Sequence, residues 1–260
     1  MHRISFTDRG QIAPGIEGGM TVDIYGINDI RTLIGGNPYP GRGILIGCTA
    51  DGTRALAAYF IMGRSANSRN RIFTEKDGTV STEPFDVSKV QDPSLIIYNA
   101  VRRNSRHLVV TNGDQTDTIC DALDAGQSFA EALGKRQFEP DAPNFTPRIS
   151  GMLTFGENGF SYQMSILKSI DAAGSGCVRC TFSYPSVPGL GHLIHTYVGD
   201  GDPLPSFQGE PRRTAIGSDL DRVTDEVWNA LDADNRISLY VCTVDLKTGK
   251  RESRLVNKNR

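Results

Sequence analysis

The sequence predicts an α+β fold whose sheet is mostly antiparallel. Three observations lead there. Pairs of apolar runs are joined by short glycine-containing turns at Asp51-Gly52 and at Gly156-Glu157-Asn158-Gly159, which read as hairpins. Helical pieces sit together between the two hairpins instead of alternating with strands. One amphipathic helix and a strand follow near the end.

In chain order, residues 29–34 read as a short helix stopped by Gly35-Gly36, and a rigid Asn37-Pro38-Tyr39-Pro40-Gly41-Arg42-Gly43 turn follows. Residues 44–48 and 54–62 are nearly continuous apolar strands, so both of their faces are expected to be covered. Gly41 and Gly43 either shape the turn or let a ligand approach the backbone. Residues 74–92 are polar and turn-rich. Residues 93–102 form a short apolar element bearing Tyr98-Asn99. Leu108-Val109-Val110 is a central strand.

Residues 116–125 and 128–134 are helical pieces broken at Gly126, the second opened by a Ser128/Glu131 capping box. Residues 149–155 and 160–167 make the second hairpin. Residues 177–180 and 192–198 are strand-like, and 199–211 is a long Gly/Pro loop. Leu220, Val223, Val227, Trp228 and Leu231 fall on one helical face. Residues 237–244 form a final strand, with a turn at Lys247-Thr248-Gly249 and a basic, polar tail.

At 260 residues with no long polar linker, the chain is expected to be one domain over 21–260 behind an irregular tail at 1–20. Hydrophobic residues make up 38%, and no apolar run approaches the roughly 20 residues of a membrane span. The net charge of −2 supplies no general field for nucleic acid, so any anion site must be local. The start lacks a secretory pattern, and five cysteines are an odd number. Reduced thiols in a cytoplasmic protein are therefore expected.

Chemistry concentrates in three places. The stretch Gly63-Arg64-Ser65-Ala66-Asn67-Ser68-Arg69-Asn70-Arg71 carries guanidinium forks and neutral donors suited to an anion, or is a solvated loop. The junction Thr111-Asn112-Gly113-Asp114-Gln115-Thr116-Asp117 brings a strand end to a helix start. Its aspartates suit ribose hydroxyls or proton transfer better than phosphate, and plain helix capping is the competing reading. A loop stiffened by Pro140, Pro143 and Pro147 presents Glu139, Asp141 and Arg148. Cys177 and Cys180 ahead of His192 and His195 come near a zinc pattern, but the histidines are too close, and in a strand they point to opposite faces. No GxGxxG, GxxxxGK[ST] or GxSxG is present, and no Cys, Ser or Thr heads the first core strand as a terminal nucleophile. What remains is a polar site that works by positioning and proton transfer.

The segments Tyr39-Pro40-Gly41-Arg42-Gly43, Arg64-Ser65 with Asn70-Arg71, Tyr98-Asn99, Thr111 through Ile119, and Phe138-Glu139 with Thr146-Pro147-Arg148-Ile149 resemble, in this order, the archaeal-type IMP cyclohydrolases and their bacterial relatives. The match is densest over 37–160. The resemblance implies a four-layer αββα sandwich with two mostly antiparallel sheets, like the N-terminal-nucleophile hydrolases but without their nucleophile. It implies cofactor-free closure of 5-formamidoimidazole-4-carboxamide ribotide to IMP with loss of water. It assigns catalysis to Arg71, Glu139 and Tyr98. It assigns binding of the purine nucleotide to Arg42, Arg64, Ser65, Asn70, Asn99, Asn112, Gly113, Asp114 and Arg148, with no metal, nucleic acid or membrane involved. Arg64 and Arg71 stand further apart than in the archaeal form, so Arg69 competes within that loop. Extra length at both ends would serve homo-oligomer assembly or a different substrate. Two other readings stay open: a nucleotide-binding relative with lost or altered activity, and an amidohydrolase of the same fold.

Overall fold

A computed structural model describes residues 25–90, 97–157 and 159–259. The tail expected at 1–20, the start of the 93–102 element and Asn158 of the second turn lie outside them. The elements run α1 (Ile30–Ile34), β1 (Arg42–Cys48), β2 (Arg54–Met62), α2 (Ala66–Arg69), β3 (Ile72–Lys76), β4 (Thr79–Glu83), β5 (Tyr98–Asn104) and β6 (His107–Thr111). Then come α3 (Gln115–Asp124), α4 (Phe129–Gly134), β7 (Arg148–Gly156), β8 (Gly159–Ser169), β9 (Cys177–Pro185), β10 (Leu190–His195), β11 (Arg212–Ala215), α5 (Leu220–Ala230), β12 (Arg236–Asp245) and β13 (Arg251–Asn257).

The strands form a six-stranded sheet, β11-β10-β1-β2-β12-β13, and a seven-stranded sheet, β3-β4-β5-β6-β7-β8-β9. The named pairs are antiparallel. The alternation of β1 and β2 explains the layering. Ile44, Ile46, Tyr59 and Ile61 face the second sheet and pack with Val80, Val110, Ile149 and Leu153. Leu45, Leu56, Ala58 and Phe60 face outward against α1 and α5 through Ile30, Ile34, Val223 and Val227. On the far side, Val109, Met152 and Leu167 pack against Ile119, Cys120, Phe129 and Leu133 of α3 and α4. The result is the expected αββα sandwich of the N-terminal-nucleophile-hydrolase type, with apolar side chains on both faces of the inner strands because each sheet has a layer on either side.

The capping box at α4 is present, Ser128 N donating to Glu131 Oε2 at 2.7 Å and Glu131 N to Ser128 Oγ at 3.3 Å. The stretch over 74–92, polar and turn-rich in sequence, also carries strand. It contains most of the β3–β4 hairpin, whose Asp77-Gly78 turn has φ of 49° and 79°, the left-handed pair of a type I′ turn. The strand over 237–244 is not final: the Lys247-Thr248-Gly249 turn returns the chain as β13, an edge strand whose polar side chains hid it. β11 was likewise unforeseen after the 199–211 loop, and the strand expected over 192–198 is β10, ending at His195. The arginine stretch includes one helical turn, α2, capped by Ser65. Among the described residues no helix is long and apolar enough to cross a membrane.

Candidate active site

The ends of both sheets that carry the N-termini of β1, β5 and β7 and the C-terminus of β6 enclose a cavity of about 320 Å³. Arg42 enters it from the head of β1, Arg71 from just ahead of β3 and Tyr98 from the start of β5. Asn112, Gly113 and Asp114 come from the β6–α3 junction, and Glu139, Pro140, Asp141, Thr146 and Arg148 from the proline-stiffened loop before β7. An adjoining hollow of about 440 Å³ shares Arg42, Asp141 and Thr146 and adds Arg64, Ser65, Tyr39 and Tyr197.

The electrostatics of the cavity are uneven. The Nε atoms of Arg42 and Arg71 are buried without a hydrogen-bond partner, and neither guanidinium is ion-paired among the described residues. Arg71 is 6% exposed. Burial first, and then repulsion from Arg42, push its guanidinium below its ordinary proton affinity, though an arginine stays charged at neutral pH. Burial also opposes the charge on Arg42, while the phenols of Tyr197, Tyr39, Tyr98 and Tyr59 support it, with a net shift upward. Two like charges, Arg71 buried and Arg42 half-buried, with no counter-ion among the described residues are costly unless an anion joins them.

Arg148 is different. Its Nη1 donates to Asp114 Oδ1 and to Gln115 Oε1, each at 2.7 Å, and its Nη2 donates to Glu139 Oε2 at 3.2 Å. Asp114 is also paired with Arg136. Desolvation works against the Asp114 charge, yet Arg136 and Arg148 hold its carboxyl below the usual range. For Glu139 desolvation wins over Arg148 and Arg42, and the carboxyl is pushed up. The site therefore holds a carboxyl group of raised proton affinity beside two guanidinium groups not ion-paired among the described residues.

The loop that carries Glu139 is closed on itself. Thr146 N donates to Asp141 Oδ1 at 2.7 Å, Glu139 N donates to Thr146 O at 2.9 Å, and the Thr146 hydroxyl lies between Asp141 and the Tyr197 hydroxyl. Gly113 is required by crowding: a Cβ there would stand 2.6 Å from both Arg148 Nη1 and Gln115 Oε1. Gly41 has φ of 80° and is packed on Thr196 and Tyr197, so it shapes the turn.

Of the residues singled out in the sequence, Arg42, Arg71, Tyr98, Asn112, Gly113, Asp114, Glu139 and Arg148 meet at the cavity. Arg64 and Ser65 lie at the adjoining hollow, where Arg64 pairs with Asp200 and donates to Gly201 O at 3.0 Å. Two do not line either. Asn70 is tied to the backbone of Asp86 (2.7 and 2.8 Å), and Asn99 to Asp117 (3.2 Å) and Ser81 (2.9 Å). Arg148 and Asn112 line the cavity with their polar groups already engaged, Asn112 by Pro147 O, Ile149 N and Gln115 Nε2. Arg69 reaches Gly63 O and Asn235 instead of the cavity. Among the arginines of that stretch Arg71 alone lines the cavity. Asp141, which the proline-stiffened loop presents, and Thr146 also line the cavity, although the sequence assigns neither a catalytic or binding role. Cys177 and Cys180 fall on β9 and His192 and His195 on β10, in different sheets. A larger hollow of about 600 Å³ lies by α1 and β11, but Glu210 there already pairs with Arg213.

The sequence model of a family described as "IMP cyclohydrolase-like protein" matches residues 39–249. A protein of Methanopyrus kandleri named IMP cyclohydrolase is 32% identical over 184 residues, covering 65% of this chain and 89% of its own length. Proteins of the same name from Haloarcula marismortui and Methanocaldococcus jannaschii are 33% and 32% identical. Those matches cover 44% and 48% of this chain and 54% and 61% of the relatives' lengths.

Proposed function

The chain belongs to the IMP cyclohydrolase-like family, and on that premise we propose that it closes 5-formamidoimidazole-4-carboxamide ribotide to IMP, releasing water. The observation that supports this most is the pair Arg42 and Arg71, the first half-buried and the second buried, neither ion-paired among the described residues. Such a pair calls for a ligand that brings negative charge. The substrate brings a phosphate dianion in the ground state and an oxyanion in the transition state.

The reaction forms one C–N bond, between the carboxamide nitrogen and the formyl carbon. The formyl oxygen leaves as water, carrying one hydrogen from the carboxamide nitrogen and one from the formamido nitrogen. Both partners belong to one molecule, so holding them in contact supplies much of the acceleration. In our reading Arg42 and Arg71 stabilise the negative charge, and Tyr98 donates to the substrate oxygen. Glu139, with its raised proton affinity, accepts the proton from nitrogen and returns it to the departing oxygen. Asn112, Gly113 and Asp114 wall the ring and ribose, and Arg64 and Ser65 extend the site into the adjoining hollow. No cofactor is needed for these steps.

The test is direct. The formamido ribotide is added to purified protein and the absorbance of IMP is followed. Appearance of IMP at an enzymatic rate, lost in Glu139→Gln and Arg71→Ala, supports the reading. IMP binding without turnover in the wild-type protein would overturn it and leave a nucleotide-binding relative.

A further inference from the structure

Two tyrosines meet at the edge of the cavity. The hydroxyl of Tyr98, whose side chain lines the cavity, lies 2.8 Å from that of Tyr59. Tyr59 stands on β2 of one sheet and Tyr98 on β5 of the other, so the contact spans the core between the sheets. Tyr59 is fully buried and its ring stacks on Phe73, 5.4 Å between centroids. Either oxygen of the pair can serve as donor.

The surroundings choose between them. Tyr98 is the hydrogen-bond partner of the Tyr59 hydroxyl among the described residues. The charged groups nearest Tyr59 are Arg42 and Arg71, and a guanidinium donates but never accepts. If Tyr98 donated to Tyr59, the Tyr59 hydrogen would be buried with no acceptor, which interiors avoid. If Tyr59 donates to Tyr98, the buried hydrogen is satisfied and the Tyr98 hydrogen is left for the cavity. A phenol that accepts one hydrogen bond also becomes a better donor through the chain.

We propose that Tyr59 is a positioning residue that fixes the proton order of this pair, so that Tyr98 always presents its O–H to an oxygen of the bound ligand. Under the reaction proposed above, on which this rests, that oxygen is the formyl oxygen, which needs a donor as it gathers charge. Tyr59 itself touches neither ligand nor reacting atom. Its effect passes wholly through Tyr98.

The experiment is a double-mutant cycle with Tyr59→Phe, Tyr98→Phe and the double variant. Each is measured for kcat and KM with the formamido ribotide and for IMP affinity by calorimetry, with thermal unfolding as the control for folding. Tyr98→Phe is expected to lower kcat roughly a hundredfold. Tyr59→Phe, which removes a single oxygen, is expected to lower kcat roughly three- to tenfold with KM nearly unchanged. The double variant is expected to be no slower than Tyr98→Phe alone, because a residue acting through another adds nothing once that other is gone. An unchanged kcat in Tyr59→Phe, or losses that multiply in the double variant, would overturn the proposal. A wild-type protein that binds IMP but forms none would sink the assigned reaction and not this one. The same non-additivity would then be read in affinity for the unreacted formamido ribotide, and its absence there would overturn the proton order too.

Discussion

Arg42 and Arg71 reach one cavity from opposite sheets, and among the described residues neither guanidinium is ion-paired with a carboxylate. Their mutual repulsion is held in place by the packing of both sheets. Arg71→Met keeps the apolar stem and removes the charge. It is expected to raise stability by about 1–4 kcal/mol, since an uncompensated buried charge is removed. That corresponds to roughly 2–4 °C in Tm per kcal/mol. The same variant is expected to lose about a hundredfold or more in kcat/KM. Calorimetric unfolding and turnover assays check the pair of effects, and a less stable variant with normal turnover would contradict the reading.

Glu139 is pushed above the ordinary carboxyl value, mainly by burial, and is faced by Arg148, Arg42, Asp141 and Asp114. A carboxyl whose folded pKa is raised favours the folded state below its unfolded pKa, and that contribution is lost as pH rises through the folded value. Glu139→Gln is therefore expected to be relatively more stable at pH 8 than at pH 4, compared with the native chain. In the rate profile, the limb that reports Glu139 is expected above the usual glutamate range. Asp114→Asn removes a nearby negative charge and a competitor for Arg148, so it is expected to move that limb to lower pH. A limb that stays in place would argue against Glu139 as its source.

His192 and His195 are both buried, and their pKa values fall to about 4, mainly from desolvation. His192 Nδ1 is 2.6 Å from the Tyr162 hydroxyl, and His195 Nδ1 donates to Tyr197 O at 2.7 Å. A depressed histidine contributes stability above its unfolded value near 6.5, and loses it as pH falls toward 4. Each histidine is worth about 3 kcal/mol across that window. Denaturant midpoints between pH 7 and pH 4 are expected to fall steeply. His195→Asn, which retains a donor for the carbonyl, is expected to flatten the curve.

Gly113 faces Arg148 and Gln115 with no room for a methyl group. Gly113→Ala is expected to cost about 1–3 kcal/mol of stability. It is also expected to lower kcat by displacing the Arg148–Glu139 pair. Asn99→Ala, by contrast, breaks bonds to Asp117 and Ser81 away from the cavity. About 1 kcal/mol of stability is expected to go, with KM and kcat near native. Urea titrations beside steady-state kinetics distinguish the two.

Much of the framework was legible because it rests on apolar runs. β2, the hairpin at Asp51-Gly52 and the buried face of α5 follow from hydrophobic spacing. β13 and the β3–β4 hairpin escaped because β13 and β3 are edge strands, and they and β4 carry many polar side chains. The Asp77-Gly78 dipeptide was nevertheless a usable turn signal. Most of the cavity lining stood in three sequence segments, but the duties of individual groups did not. Arg148 looks like a free cation in sequence, and only the fold sets Asp114, Gln115 and Glu139 around it. Asn99 sits beside Tyr98 in the chain, yet strand alternation turns the two to opposite faces of the sheet.

The Thr146 hydroxyl, shared by Asp141 in its own loop and Tyr197 across the sandwich, bears on how a ligand is received. It acts as a latch on the segment that holds Glu139, fastened before anything arrives. Ordering entropy that other proteins lose on encounter has here been surrendered during folding, which favours tight capture of a rigid guest. Crystals grown with and without inosinate should superpose closely over residues 138–148. Loosening the latch with Thr146→Val should show itself first as a slower association with inosinate.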